Sequence, residues 1–394
     1  MVYFKVSNRF FIFLSLFLCL SIVLNAENTR IKRSGSLKSY VKRSMPIKYY
    51  VDPTVLEYYV DKALEILKDG TCLQFVKISN DNDPDAINIV RNKSEYVIDY
   101  KFNKDEKPLK LVLEQTAFKK QGVIARKMLS EMGLIFTDLR PDRDTYINIE
   151  YPNISTEHKN EYDKYDSNEV DLYDTGFDFG SIMFRGLYHR ALNGKKAVTS
   201  KLNPKFDYMI GQEDGLSLYD RQVINKYYCS DKATASCKNG GVPNTQSSGP
   251  CFCSKPFTGT TCESLKTSDA SCGNTKLTAT SEFQTLSTEA GHRKCYYEIE
   301  VKPSKRIFIR VVKSYATSGQ PCTEKKGLLI KYQKDETATG LSLCGYNEEV
   351  KLISETEKVI IAWETGDNTN RFTIRYRQVG QFDTVDSFPD SFTM

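Results

Sequence analysis

Cysteine placement constrains this chain more than any other feature. Of its eleven cysteines, Cys19 lies in the apolar amino-terminal run, and the other ten fall into three regimes. Cys72 and Cys229 stand far apart. Cys237, Cys251, Cys253 and Cys262 crowd a segment rich in glycine and proline. Cys272, Cys295, Cys322 and Cys344 are spread through alternating strand-like runs. Ten is an even number, and in an oxidising compartment that favours disulfides over thiol chemistry.

Export is read from MVYFKVSNRFFIFLSLFLCLSIVLNA, which carries basic Lys5 and Arg9, an apolar run from Phe10 to Leu24 and the small residue Ala26. A signal peptide over 1–26 is expected. The run falls short of the ~20 apolar residues that spanning requires, and no later stretch is longer, so the expectation is a soluble, secreted chain without a membrane span. Setting aside Lys5 and Arg9 leaves a net charge of +3, from 55 basic and 50 acidic residues in all. That balance is too small to indicate a nucleic-acid partner. Asn92 and Asn153 begin Asn-x-Ser sequons and are glycosylation candidates in a secreted chain.

Between Arg30 and Lys48 the chain has basic residues and no acids, and Arg30-Ile-Lys-Arg33 suits a processing protease, giving a short pro-segment over 27–33. From residue 34 to 229, strands and helices mix. IKYYVD, LQFVKI, INIVR and KLVLEQ read as strands, and PTVLEYYVDKALEILKDG reads as a helix with Leu56, Val60, Leu64 and Leu67 on one face. Residues 230–265 are too few to hold a core and must be stapled by bridges. Residues 272–379, with YYEIEV, RIFIRVV, LLIKY, VKLI, KVIIAWE and FTIRYR, read as an all-β sandwich. Residues 380–394 carry acids and no base, and read as a flexible tail.

RPDRD at 140–144, DFGSIM at 178–183 and GQEDGLSLYDRQVINKYYC at 211–229, in that order and spacing, resemble the astacin family of secreted zinc endopeptidases. The resemblance implies an α+β zincin-like (metzincin) domain. The cysteine-rich segment resembles an EGF-like module, and CTEKKGLLIKYQKDETATGLSLC resembles a CUB sandwich. It also implies the pairs Cys72–Cys229, Cys237–Cys251, Cys253–Cys262, Cys272–Cys295 and Cys322–Cys344. A further family bridge, between the regions of Lys93 and Thr116, lacks both cysteines.

The family's metal motif is H-E-x-x-H-x-x-G-x-x-H, in which two histidines share a helical face and a glycine turns the chain toward a third. Anchored on RPDRD, the three ligand positions fall on Arg126, Ser130 and Phe136, the general base on Lys127 and the glycine on Gly133. After the Met-turn methionine, Met183, the His-Tyr of the family is replaced by Phe184-Arg185, and the glutamate that follows the third histidine by Thr137. An ammonium cannot take a proton from water, and guanidinium groups repel a divalent ion. No catalytic or metal-binding residue and no cofactor are expected. Only three histidines exist, His158, His189 and His292, read as isolated surface residues without an i,i+4 pair.

Three readings follow from the resemblance. The first is a secreted pseudoprotease that binds extracellular proteins or peptides without cutting them, with Arg126, Lys127 and Arg185 lining the former metal pocket as an anion site. The second is an active zinc metalloendopeptidase with displaced ligands. The third is adhesion through the CUB-like module, where Lys325-Lys326-Gly327 stands in place of an acidic calcium position.

Overall fold

The computed structural model describes residues 35–40, 42–91, 108–113, 119–246 and 251–388. The stretches read as a signal peptide and a pro-segment, with Arg33, Asn92, the positions near Lys93 and Thr116, and the residues beyond 388 lie outside the described residues.

The amino-terminal half begins with a short strand, β1 (Ser36–Leu37), paired with β7 (Val170–Asp171). Strands β2 (Ile47–Val51), β3 (Phe75–Lys77), β4 (Ile87–Arg91) and β5 (Leu109–Leu113) form a parallel sheet in the order β3-β2-β4-β5. A separate antiparallel pair joins β6 (Ile147–Ile149) to β8 (Val198–Ser200). Helix α1 (Glu57–Lys68) packs Val60, Ala63, Leu64 and Leu67 into the core. Leu56, expected on that face, is instead the N-cap residue and is exposed, because the helix starts one residue later. Gly70, at φ +74°, ends the helix in the left-handed region that a side chain disfavours. Helix α2 (Gln121–Glu131) buries Ile124, Ala125, Met128 and Leu129 against α1. Helix α3 (Leu218–Tyr228) closes the half, with Ser217 and Asp220 forming a capping box.

Five disulfides are present: Cys72–Cys229, Cys237–Cys251, Cys253–Cys262, Cys272–Cys295 and Cys322–Cys344. The first closes a separation of 157 residues, a constraint worth about 5 kcal/mol in the chain-entropy account. Among the described residues the middle segment contributes the two-residue strands β9 (Phe257–Thr258) and β10 (Ser264–Leu265).

Beyond it lie two sheets. One has the order β11-β13-β18-β15-β16, from Lys276–Thr278, Arg293–Glu300, Lys358–Thr365, Leu328–Lys331 and Leu341–Leu343. The other has the order β12-β19-β14-β17, from Gln284–Thr288, Arg371–Val379, Arg306–Tyr315 and Tyr346–Ile353. Strands β11, β12 and β16 have no counterpart among the sequence expectations, since each is too short or too polar to show a clear alternation. The segment after residue 380, read from sequence as loose, is docked up to Phe388. That side chain is buried against Phe308, with ring centroids 4.5 Å apart, and Arg306 donates to the Asp383 carbonyl.

The sandwich does not hang from the first half as a separate bead. A single core cluster runs from Phe177, Phe179, Phe206 and Met209 into Leu328, Ile330, Leu341 and Trp363. At the seam Asp178 accepts from Thr339 Oγ1 at 3.0 Å, and a Cβ on Gly180 would lie 2.5 Å from the same threonine. Cys322 N donates to Tyr208 O at 2.6 Å. The cysteine-rich segment is fixed in a similar way: Phe252 lies 3.7 Å from the Arg221 guanidinium, and Thr245 bonds Asn225.

Candidate functional site

Helix α2 is held close to the loop that follows residue 210. A Cβ on Gly122 would run into the Glu213 carbonyl, so glycine permits the approach. At its end Gly133, at φ +94°, reverses the chain beneath the Tyr40 ring, and Leu134 and Phe136 then enter the core. The turn expected from sequence at Gly133 is therefore formed.

Below the helix the turn at Met183 is fixed by hydrogen bonds. Asp220 accepts from Ser181 Oγ at 2.6 Å and from Ile182 N at 2.8 Å, while Thr137 N donates to Met183 O at 3.0 Å. Burial pushes the Asp220 carboxyl up from its ordinary value, although these donors oppose it. Met183 is buried beneath.

Each residue at a position where the resemblance implies a ligand is engaged differently. Arg126 is 9% exposed; its Nε donates to the Ile182 carbonyl, and one terminal nitrogen donates to Gln212 O at 2.9 Å. Lys127 Nζ donates to Val112 O at 3.0 Å, toward the sheet. Phe136 is buried, and Ser130 is half-buried on the helix. Arg185 lies between the Phe136 ring at 5.3 Å and the Tyr162 ring at 4.6 Å, and forms an ion pair with Asp138 at 2.6 Å. It also donates to the Glu161 carbonyl at 2.9 Å.

The anion site expected from Arg126, Lys127 and Arg185 is thus not assembled as a convergent trio. Two of the cations serve backbone carbonyls and the third is neutralised by Asp138. Burial works against ionisation of that carboxyl, but the adjacent guanidinium wins and holds it below the usual carboxylate value.

Beside this pair lies a second polar group that sequence reasoning missed. Glu161 faces His158 at 2.9 Å, His189 at 3.0 Å and Arg190 at 3.1 Å. The His189 side chain is only 10% exposed and faces a carboxylate, so the reading of it as an isolated surface histidine is corrected; histidines so far apart in the chain give no local spacing signal. Burial lowers the His189 pKa to about 4 despite the facing carboxylate. Glu161 is itself held down to about 2, its burial overridden by His189 and Arg190. A cavity of about 520 Å³ opens next to these residues, lined by Leu37, Lys38, Leu139, Glu161, Tyr165 and Arg185.

The residues present do not fit zinc. Arginine offers no lone pair at neutral pH, phenylalanine has no donor atom, and Ser130 alone supplies a neutral hydroxyl. Among the described residues no group of three or more His, Cys, Asp or Glu side chains could hold a metal ion. Asn153 Nδ2 donates to Lys196 O at 2.8 Å; a glycan on that nitrogen would leave one N–H for the bond. Among the described residues no helix is long and apolar enough to cross a membrane.

Residues 36–229 match the family described as Astacin, a peptidase family. The chain is 25% identical over 356 residues to zinc metalloproteinase nas-34 of Caenorhabditis elegans, covering 88% of this chain and 58% of that protein. Against zinc metalloproteinase nas-26 of the same organism it is 23% identical over 360 residues, covering 88% of this chain and 84% of that one. It therefore spans less than two thirds of the length of nas-34. Among solved structures it is similar to high choriolytic enzyme 1, a hatching enzyme zinc-protease from Oryzias latipes, at 23% identity and a TM-score of 0.40, covering 48% of this chain and 96% of that one. Residues 36–229 of this chain are therefore an astacin-family domain.

Proposed function

We propose that the protein is a secreted astacin-type pseudoprotease, a scaffold that binds extracellular proteins or peptides and does not hydrolyse them. The observation that carries this reading is the chemistry at the former centre. Where the family pattern calls for imidazoles and a glutamate, this chain has two cross-linking arginines, a lysine, a serine and a buried ring. Metal-assisted hydrolysis needs an ion to acidify water and a base to accept its proton, and Lys127 and Arg126 supply neither. The cavity beside Arg185 remains as a cleft that can receive a polypeptide side chain.

The reading includes an EGF-like module over 230–265 and a CUB-like sandwich over 272–379, with a signal peptide over 1–26 and glycans at Asn92 and Asn153. The disulfides and the packing of the two-sheet unit support it. Its test is metal content and peptidase activity of the full secreted chain, purified before and after trimming at Arg33. Substoichiometric zinc and no turnover are expected. One zinc per chain together with chelator-sensitive cleavage would establish the displaced-ligand enzyme instead.

A further inference from the structure

The sheet β12-β19-β14-β17 turns one face to the core; on the other, Phe388 covers Phe308 and Arg377 at one end, and Lys313 and Arg371 stand exposed toward the other. Ile307, Ile309 and Val311 of β14 and Phe372, Ile374 and Tyr376 of β19 point inward and are buried. Alternation then sends Arg371, Arg375 and Arg377 of β19 to the other face, with Arg310 and Lys313 of β14 and Lys351 of β17 beside them. A bulge between Val311 and Lys313 keeps Lys313 on that side.

Register sets these charges side by side. Arg310 lies opposite Arg375 on one neighbour and Lys351 on the other, so three cations share one row. Like charges directly opposite destabilise a sheet; on this face Glu348 lies opposite Lys313, and Lys351 Nζ donates to the Phe388 carbonyl at 2.7 Å. Arg310 pairs with Glu349 at 2.7 Å, while among the described residues Lys313, Arg371, Arg375 and Arg377 enter no ion pair. The guanidinium groups are seated on rings: Arg375 and Arg377 lie 4.6 and 4.8 Å from Phe283, and Arg371 lies 4.4 Å from Tyr315. A stacked guanidinium is held in orientation and keeps its N–H edge for a planar or tetrahedral oxyanion.

From Arg371 to Arg377 the array runs about 20 Å along the strand, with rows about 4.8 Å apart. One small anion cannot span it, and a chain with charges at repeated intervals can. We propose that this outer face binds a linear sulfated polysaccharide. The basic patch is local, since the whole chain is only +5. It also lies apart from the α2 cleft, so the inference stands whether or not the pseudoprotease reading does.

The test uses the full secreted chain and size-defined heparin oligosaccharides, with binding followed by fluorescence polarisation at low and high salt. Binding that weakens with salt is expected, and the Lys313→Gln/Arg375→Gln double variant should lose affinity by about tenfold or more. Its cooperative thermal unfolding should be retained, since both positions lie on the outer face and the inward residues of β14 and β19 are untouched. The exposed single variant Arg371→Gln gives a second reading should the double fail to fold. Lys195→Gln/Lys232→Gln, at exposed positions outside the sheet, should bind as the parent does. Affinity unchanged in the sheet variants, equal binding of the desulfated oligosaccharide, or preference for phosphatidylserine vesicles over heparin would each overturn the proposal.

Discussion

Arg185 donates from Nε to Oδ2 of Asp138 at 2.8 Å, joining the Met-turn to the segment that follows helix α2, with both side chains almost wholly sealed from water. The pair is flanked by the Phe136 and Tyr162 rings, and Arg126 adds a second tie, from the helix to the turn at Met183, through the Ile182 carbonyl.

Breaking the pair from one side strands a buried charge. Arg185→Met should therefore lower the unfolding free energy by about 3–5 kcal/mol, whereas the double variant Arg185→Met/Asp138→Leu should regain much of that loss. Denaturant unfolding of the two variants beside the parent measures both. Equal losses in the single and the double would contradict a buried, coupled pair.

Acid should weaken the fold in two stages around Glu161. The unfolded His189 takes up a proton near its ordinary 6.5 and the folded one only near 4, so the unfolded state binds more protons in that window and stability falls as pH drops from about 6.5 to 4. Glu161, depressed to about 2 from 4.5, extends the decline below 4.5. Asp138, Arg185, Arg190 and His158 face the same cluster and set these values together. In thermal scans against pH, His189→Gln should flatten the upper stage and shrink the lower one to the part that Arg190 sustains.

Gly122→Ala should be costly for a helical position where alanine is ordinarily the better residue. Its Cβ would collide with the Glu213 backbone, and overpacking of this kind costs about 1–3 kcal/mol. A thermal midpoint equal to or above the parent's would show that the loop after residue 210 yields freely.

Truncation after Gly380 removes Phe388 from its seat on Phe308 and Arg377. A loss of about 1.5–3 kcal/mol is expected from uncovering that ring's site, read as a lower midpoint of the truncated chain. No change would restore the view of this segment as loose.

Long, strongly patterned elements were legible in the sequence: α1 from its apolar spacing, and β14, β18 and β19 from alternation. The turn at Gly133 was legible as well, because it depends on residue type at a fixed spacing. The contacts that Arg126 and Arg185 make were not. Asp138 and Glu161 reveal their roles only when the fold brings Arg185 and His189 to them across 47 and 28 residues. The docking of Phe388 was hidden for a related reason, since one aromatic in an acidic tail carries no periodicity.

The continuous core shared by Phe206, Met209, Leu341 and Trp363 has a bearing on how this gene product can be dissected. Any nick, splice variant or recombinant fragment that parts the chain near residue 270 would leave two raw apolar surfaces, each prone to stick to itself or to chaperones. Architecture that looks interchangeable on a domain diagram is, in this molecule, welded.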